Sequence, residues 1–261
     1  MIKKIRVMML VCMGIMIAGL AVNIVNAEDR ITEAEKIDYL KSIGTTEEAI
    51  AIYNQAQIDE LYYTLQGKDV KFSGIETTIV EIENKNSDQM ERNNISTSKL
   101  QLSIGTYDME RDGKVIGIDV TLGYKWLESP LMHFTDAFTF TWNDALFYDD
   151  GFYAMSNYTL AGGQMITIEQ ISRPATGQAG GLGWYLNTAV PHGAISNNYG
   201  GAQILLRPRT YYTSATKLAA KMYFTYAHQL VGAGITIGPD GPGVTITGGK
   251  YDQQTFSYTY H

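Results

Sequence analysis

The stretch Ile116-Gly-Ile-Asp-Val-Thr-Leu-Gly-Tyr-Lys-Trp126 places an apolar side chain at every second position. This period of two is typical of a β-strand with one buried face. Asp112-Gly113 comes shortly before it, and this dipeptide favours a tight hairpin turn. Upstream of the turn, Leu100, Leu102 and Ile104 alternate in the same way. The sequence therefore predicts a hairpin that sets the register of the core sheet.

Alternating apolar residues recur as far as the C-terminus. They are Phe138, Phe140 and Trp142, then Leu218, Ala220, Met222, Phe224 and Tyr226, and finally Phe256, Tyr258 and Tyr260. Segments 235–237 and 244–247 form a further pair, joined by the turn-rich Gly238-Pro-Asp-Gly-Pro-Gly243. Many short strands separated by turns indicate an antiparallel β-sandwich or an open barrel. We therefore predict a mainly β fold with an α-helical hairpin at its N-terminus.

The helical hairpin is predicted from residues 33 to 66, where the apolar period is that of a helix. A capping box begins each of its two helices, and a glycine ends each one. The boxes are Thr32 with Glu35 and Thr45 with Glu48, and the glycines are Gly44 and Gly67. Two helices of this length are marginal in water on their own, so we expect their apolar stripes to pack on the β-domain.

The N-terminus has the three parts of a secretory signal peptide. Lys3, Lys4 and Arg6 precede an apolar run over residues 7–25, and the small residue Ala27 follows, before two acids. We expect cleavage after that alanine. The resulting parts are a signal peptide (1–27), the helical hairpin (28–67) and a β-rich domain (68–261). The alternative is an uncleaved membrane anchor, because the apolar run is long enough to span a bilayer.

Cleavage would remove Cys12, which is the only cysteine, and three basic residues. The remaining chain would have 27 acidic residues against 17 basic ones. Such a chain has no disulfide, no cysteine nucleophile and no thiolate zinc site. Its negative charge argues against nucleic acid and anionic lipid as partners. No second apolar run of similar length follows, so we expect no stable membrane span after cleavage.

The histidines lack the spacing of a metal site. His133, His192, His228 and His261 form no His-Glu-x-x-His or His-x-His pair, so neither a metal nor a cofactor is predicted. His228 continues the alternating apolar face that ends at Tyr226, and this position favours a core histidine. There is also no Gly-x-Ser-x-Gly nucleophile motif.

Asp136 is the carboxylate with the most unusual surroundings, because Phe134 and Phe138 flank it. A carboxylate among aromatic residues is either hydrogen-bonded to its neighbours or part of a site. As a site, it would serve a hydrolase together with Glu169 or His192. The structural interpretation is favoured over this catalytic one.

The segment 176–201 contains seven glycines and predicts a long loop or a set of tight hairpins. Trp184, Tyr185 and His192 lie within it, and large aromatic residues on loops are typical of recognition surfaces. These three residues are the candidate binding residues. The alternative is that Trp184 folds back as a plug over the sandwich, because tryptophan is usually well buried.

Two motifs carry a resemblance to a group of exported proteins of Gram-positive bacteria. The first is Asp38-Tyr-Leu-Lys-Ser-Ile-Gly44, followed by Glu47-Glu48 and Gln57-Ile-Asp-Glu-Leu-Tyr62. The second is Tyr124-Lys-Trp126 with Pro130, Thr135-Asp136 and Trp142. The resemblance covers about half of the chain. It implies export and a helical pair before a β-domain, and it implies no activity and no catalytic residue.

These observations favour a non-enzymatic protein, secreted or associated with the cell envelope, that binds a glycan or a protein through aromatic residues. An extracellular hydrolase is the first alternative. The second is a membrane-active protein, in which the Gly- and Thr-rich segment 232–247 would insert as a β-hairpin.

The first testable prediction concerns export. The mature protein recovered from culture medium or envelope should begin at Glu28, because the small-residue site ends at Ala27. N-terminal sequencing measures this directly. Mature protein that still begins at Met1 would show that the apolar run is kept as an anchor.

Overall fold

The computed structural model describes residues 31–83, 97–128, 135–160, 162–169, 180–187, 195–213, 219–231, 234–240 and 243–261. The helices in these ranges are α1 (Glu33–Ser42), α2 (Glu47–Ile52) and α3 (Gln55–Leu65). The strands are β1 (Val70–Glu83), β2 (Thr97–Arg111), β3 (Lys114–Trp126), β4 (Thr135–Trp142), β5 (Phe147–Leu160), β6 (Met165–Glu169), β7 (Gly181–Asn187), β8 (Ile195–Pro208), β9 (Ala220–Val231), β10 (Thr236–Asp240), β11 (Gly243–Thr247) and β12 (Lys250–Tyr260).

Two antiparallel sheets pack face to face as a sandwich. The larger sheet has the strand order β1-β2-β3-β8-β5-β6, and the smaller one has the order β12-β9-β4-β7. The core between them is aromatic: Phe138 stacks on Trp184 with ring centroids 4.8 Å apart, and Tyr124 meets Tyr226 at 5.1 Å. The predicted mainly β fold with a helical N-terminal part is confirmed.

Strand β3 lies near the middle of the larger sheet and is buried on both faces. It follows β2 through the predicted turn, where Asp112 and Gly113 have φ of 52° and 70°, as a tight hairpin turn requires. A bulge between Met109 and Glu110 shifts the pairing, so that Val115 joins the sandwich core while Ile116 packs on the opposite face. The predicted alternation therefore holds from Ile118 to Trp126 and fails at Ile116.

Hydrogen bonds between buried polar side chains join the two sheets. Near the hairpin turn, Tyr260 donates to the Asp108 carboxylate at 2.7 Å, and its hydroxyl lies 2.6 Å from that of Tyr212. The hydroxyls of Thr106 and Tyr258 are 2.8 Å apart. Burial raises the pKa of Asp108 against the opposing effect of the Tyr260 hydrogen bond. Each of these buried groups has a partner, which removes most of the cost of desolvating it.

Residues 33–66 contain three helices where the sequence predicts two. The capping box of Thr32 and Glu35 is confirmed. The second predicted box, Thr45 with Glu48, is wrong: Thr46 caps α2, and the Thr45 hydroxyl donates to the hydroxyl of Tyr107 at 3.3 Å. A box that the sequence analysis missed, Asn54 with Gln57, begins α3. Asn54 thereby separates two helices that were predicted as one.

The helical unit α1–α3 packs on the outer face of the larger sheet, over β2 and β3. Leu40, Leu61 and Leu65 are fully buried there. Gln57 Nε2 donates to the Leu122 carbonyl at 3.0 Å, so the helix also bonds directly to β3. The close approach of the helical unit to β2 requires glycine at position 105, because a Cβ on Gly105 would collide with the Tyr53 hydroxyl. The predicted division into residues 28–67 and 68–261 as separate domains stays a prediction.

The hairpin β10–β11 covers part of the outer face of the smaller sheet. Its apolar side chains Ile235, Ile237, Val244 and Ile246 pack on Ala137 and Ala227. The sequence predicts this hairpin. The structure adds that its apolar face is buried against the smaller sheet. The predicted signal peptide, Leu218 and residues 84–96 between β1 and β2 lie outside the described residues.

The second testable prediction concerns the core face of β3. Val120→Asp places a charge where Val120 is fully buried, which should lower the free energy of unfolding by about 3–5 kcal/mol. The matched control is Ile79→Asp on the edge strand β1, where the side chain is 57% exposed and the cost should be within about 0.5 kcal/mol. Urea unfolding measures both, and equal stabilities would show that β3 is not a core strand.

Asp119 lies on β3 beneath the helical unit and is fully buried. Gln203 Nε2 donates to its carboxylate at 2.7 Å, and Thr121 lies at 3.5 Å. Burial raises the pKa of Asp119 to about 7, and the hydrogen bond from Gln203 only partly opposes this rise. The folded protein therefore keeps a proton on this group at pH values where the unfolded chain has released it.

The third prediction follows from that difference in proton binding. Because the folded pKa is raised, Asp119 should lower the free energy of unfolding as the pH rises from about 4 to about 7, by up to about 1.4 kcal/mol per pH unit. Asp119→Asn, which is always neutral, should remove this pH dependence and stabilise the protein at pH 8. The matched control is Asp112→Asn in the exposed turn, which should keep the wild-type dependence. Parallel stability curves for wild type and Asp119→Asn would contradict the prediction.

Candidate functional site

Asp136 on β4 is buried at the end of the sandwich opposite the Asp108 pair. Its Oδ2 accepts from the Tyr226 hydroxyl at 2.6 Å, and its Oδ1 lies 2.9 Å from His228 Nδ1 and 3.2 Å from the Gln229 amide nitrogen. Trp126 Nε1 donates to the Tyr226 hydroxyl at 3.2 Å, so the network connects both sheets. Burial, and the nearby Asp136 charge, raise the pKa of Tyr226 well above its usual value.

This geometry supports the structural interpretation of Asp136. Both carboxylate oxygens already accept hydrogen bonds from the protein, and the side chains of Asp136 and His228 are at most 2% exposed. Glu169 ends β6, in the other sheet, opposite Met155. His192 lies outside the described residues. The structure therefore does not bring the three candidate catalytic residues together among the residues it describes, and a catalytic role for them stays a prediction.

The candidate binding residues Trp184 and Tyr185 lie on β7, in a segment predicted as loop or hairpins. Trp184 is fully buried against Phe138, as the plug interpretation expects. Tyr185 points to the other face of the sheet, where its hydroxyl accepts from the Ile237 amide at 2.8 Å beneath the hairpin β10–β11. In this arrangement the Trp184 ring has no open surface and Tyr185 is partly buried, and a binding role stays a prediction.

A cleft of about 320 Å³ lies between the helical unit and the outer face of the larger sheet. We call it the helix–sheet cleft. Its walls are the α2–α3 junction on one side and strands β2, β3, β5, β6 and β8 on the other. The polar and aromatic side chains of its lining are Tyr53, Asn54, Gln57, Gln101, Ser103, Lys125, Thr159, Asn197 and Tyr199.

The described polar groups that line the cleft are uncharged, apart from one cation, Lys125. Its described lining contains amides, hydroxyls, tyrosine rings and Lys125, and no carboxylate or imidazole. An extra residue in β8, between the pairs Asn157–Tyr199 and Thr159–Ser196, bends the strand at the rim. Asn197 sits in this bulge with φ of 52°, a conformation that asparagine tolerates better than most residues. Such bulges often re-aim side chains next to binding sites.

A wider groove of about 750 Å³ lies on the smaller sheet, beside β11. Tyr223 and Lys221 line it, and its carboxylate Asp144 is already paired with Arg209 at 2.8 Å. The groove is an open depression lined mainly by small or paired side chains. The helix–sheet cleft is therefore the better candidate for a ligand.

The sequence analysis missed the cleft residues, although one signal was present. Gln101, Ser103 and Lys125 occupy the odd-numbered, polar positions of the same strands whose even-numbered positions predicted the core. Their polarity indicated an outer face, but the sequence did not show that a helical unit would roof part of it. Within the described residues, no group of three potential metal ligands occurs, and no helix is long and apolar enough to span a membrane.

Comparison with known proteins gives distant structural likenesses only. No protein-family model and no curated protein matches the chain. Among solved structures, it is similar to the C-terminal domain of the AgI/II polypeptide BspA of Streptococcus agalactiae, with 11% sequence identity and a TM-score of 0.31. The match covers 61% of this chain and 58% of that one, so the chain spans less than two thirds of the structure it matches. Both values are too low to support an argument, and the proposals below rest on the geometry of this chain.

Proposed function

We propose that this protein is an exported, non-enzymatic binding protein that holds a glycan of the cell envelope or its surroundings in the helix–sheet cleft. The observation that carries the proposal is the cleft lining itself: amides, hydroxyls and tyrosine rings around about 320 Å³. That volume is at the lower end of the range for ligand pockets, which suits a short stretch of sugar. The predicted signal peptide would direct the protein out of the cytoplasm.

The lining chemistry matches a sugar for two reasons. A sugar hydroxyl both donates and accepts hydrogen bonds, and so do the side-chain amides of Gln101 and Asn197. The ring of Tyr199 adds an apolar face with a polar tip, which suits the alternating C–H and O–H surface of a sugar ring. Tyrosine and asparagine also contribute contact area and adaptable hydrogen bonds at other recognition surfaces.

The same lining argues against the hydrolase alternative at this site. Hydrolysis of a glycosidic bond needs two carboxyl groups that flank the scissile bond. The described cleft residues include no carboxylate, and Asp136 is bonded inside the sandwich on the opposite side of the larger sheet. A binding function therefore accounts for the geometry better than catalysis does.

The fourth prediction tests the cleft. Wild-type protein should bind at least one member of a panel of immobilised neutral and acidic oligosaccharides, and Tyr199→Ala should weaken that binding about tenfold or more, the usual effect of removing a central aromatic contact. Calorimetric titration with the best binder measures the affinity. The melting temperature shows that the variant is folded.

The matched control is Tyr223→Ala, which removes a tyrosine of similar type from the groove on the smaller sheet. This variant should bind like wild type. The proposal is overturned if no oligosaccharide binds, or if Tyr223→Ala lowers the affinity and Tyr199→Ala does not.

A further inference from the structure

The helix–sheet cleft opens onto a single row of side chains that crosses the whole larger sheet. Successive cross-strand pairs align one residue from each strand, in the order β1-β2-β3-β8-β5-β6. The row is Ile79, Gln101, Lys125, Tyr199, Asn157 and Thr167. Asn157 is only 3% exposed, so a ligand on this surface would contact the other five residues. With neighbouring strands about 4.8 Å apart, it is about 24 Å long. Gln101, Lys125 and Tyr199, its central residues, also line the cleft.

The row is a surface on which only side chains can bind. The backbone N–H and C=O groups of the strands between the two edges are used in pairing with their neighbours. A peptide that adds to a sheet needs a free strand edge, whereas this row runs across the strands. Hydroxyl, amide and aromatic side chains along a line suit a chain of sugar rings that lies perpendicular to the strands.

The charge on this surface is unbalanced at one position. Lys125 is exposed and makes no ion pair within the described part of the chain. Lys99, its neighbour on β2, is already compensated, because its Nζ lies 3.0 Å from Glu128 and it faces Glu81 across the strand pair. The cross-strand neighbours of Lys125 are Gln101 and Tyr199, which are neutral. An incoming carboxylate at Lys125 would therefore meet a cation and no opposing acid.

We propose that the ligand is a linear acidic oligosaccharide that lies along this row, with a sugar carboxylate at Lys125 and neutral rings against Tyr199 and Gln101. This inference rests on the proposed glycan function and specifies its ligand class. The length of the row requires several linked sugars, and the single uncompensated cation selects a chain that carries carboxyl groups.

The test uses a linear oligo-uronic acid and the same oligosaccharide after chemical reduction of its carboxyl groups to hydroxymethyl groups. Wild-type protein should bind the acidic chain about tenfold or more tightly than the reduced chain, and a disaccharide of either kind more weakly than both. Added salt should weaken binding of the acidic chain only. Lys125→Gln should lower the affinity for the acidic chain to about that for the reduced chain, and so abolish the difference between the two.

The matched control is Lys99→Gln, which removes a lysine of the same face that already has its partner. It should keep the preference for the acidic chain. Equal wild-type affinities for the two chains, both lowered by Tyr199→Ala, would contradict the inference of an acidic ligand. The same result would still support glycan binding in the helix–sheet cleft. Failure of both chains and of the whole panel would overturn the glycan function as well. An acidic peptide that binds as tightly as the oligo-uronic acid would also overturn the saccharide assignment.

Discussion

The fold depends on the burial of strand β3 on both of its faces. Its even-numbered residues from Ile118 to Trp126 fill the sandwich core, and its odd-numbered residues lie under the helical unit or at its margin. An ordinary sandwich strand has one wet face, and polar residues there need no partner. In β3, the polar groups on the second face must instead find hydrogen-bond partners within the protein. That requirement explains why Gln57 bonds to the Leu122 carbonyl and why Asp119 keeps Gln203 as its partner.

The candidate site follows from the size of the helical unit relative to the sheet. Three short helices cover the part of the outer face near the hairpin turn, where Leu40, Leu61 and Leu65 bury apolar surface. The helices do not extend over the row that contains Lys125 and Tyr199, so this part of the outer face of the larger sheet stays uncovered. The cleft is the step between the covered and uncovered parts. A binding surface of this kind needs no strained backbone in the core, because the rigid sheet positions the side chains.

The buried acids of the sandwich serve its stability. Asp108 on β2 accepts from Tyr260 of the smaller sheet. At the opposite end of the core, Trp126 on β3 donates to Tyr226, which in turn donates to Asp136 within the smaller sheet. Such bonds fix the angle and register at which the two sheets meet, since a displaced sheet would leave a buried carboxylate without a partner. The tyrosine-rich composition therefore has a structural cause in addition to any role in recognition. Asp136, which the sequence offered as a catalyst, is thereby separated from the cleft.

The sequence by itself determined strands β2, β3, β4, β9 and β12, the β2–β3 turn, the hairpin β10–β11 and the first helix cap, because each depends on local periodicity or on neighbouring residues. It also favoured core positions for His228 and Asp136 from their alternation among aromatic residues. It could not determine that Asn54 would begin a third helix, that a bulge would turn Ile116 to the other face, or that Trp184 would lie on a strand. Only the tertiary structure aligned Gln101, Lys125 and Tyr199, since they come from strands that are distant in sequence and meet through the register of the sheet.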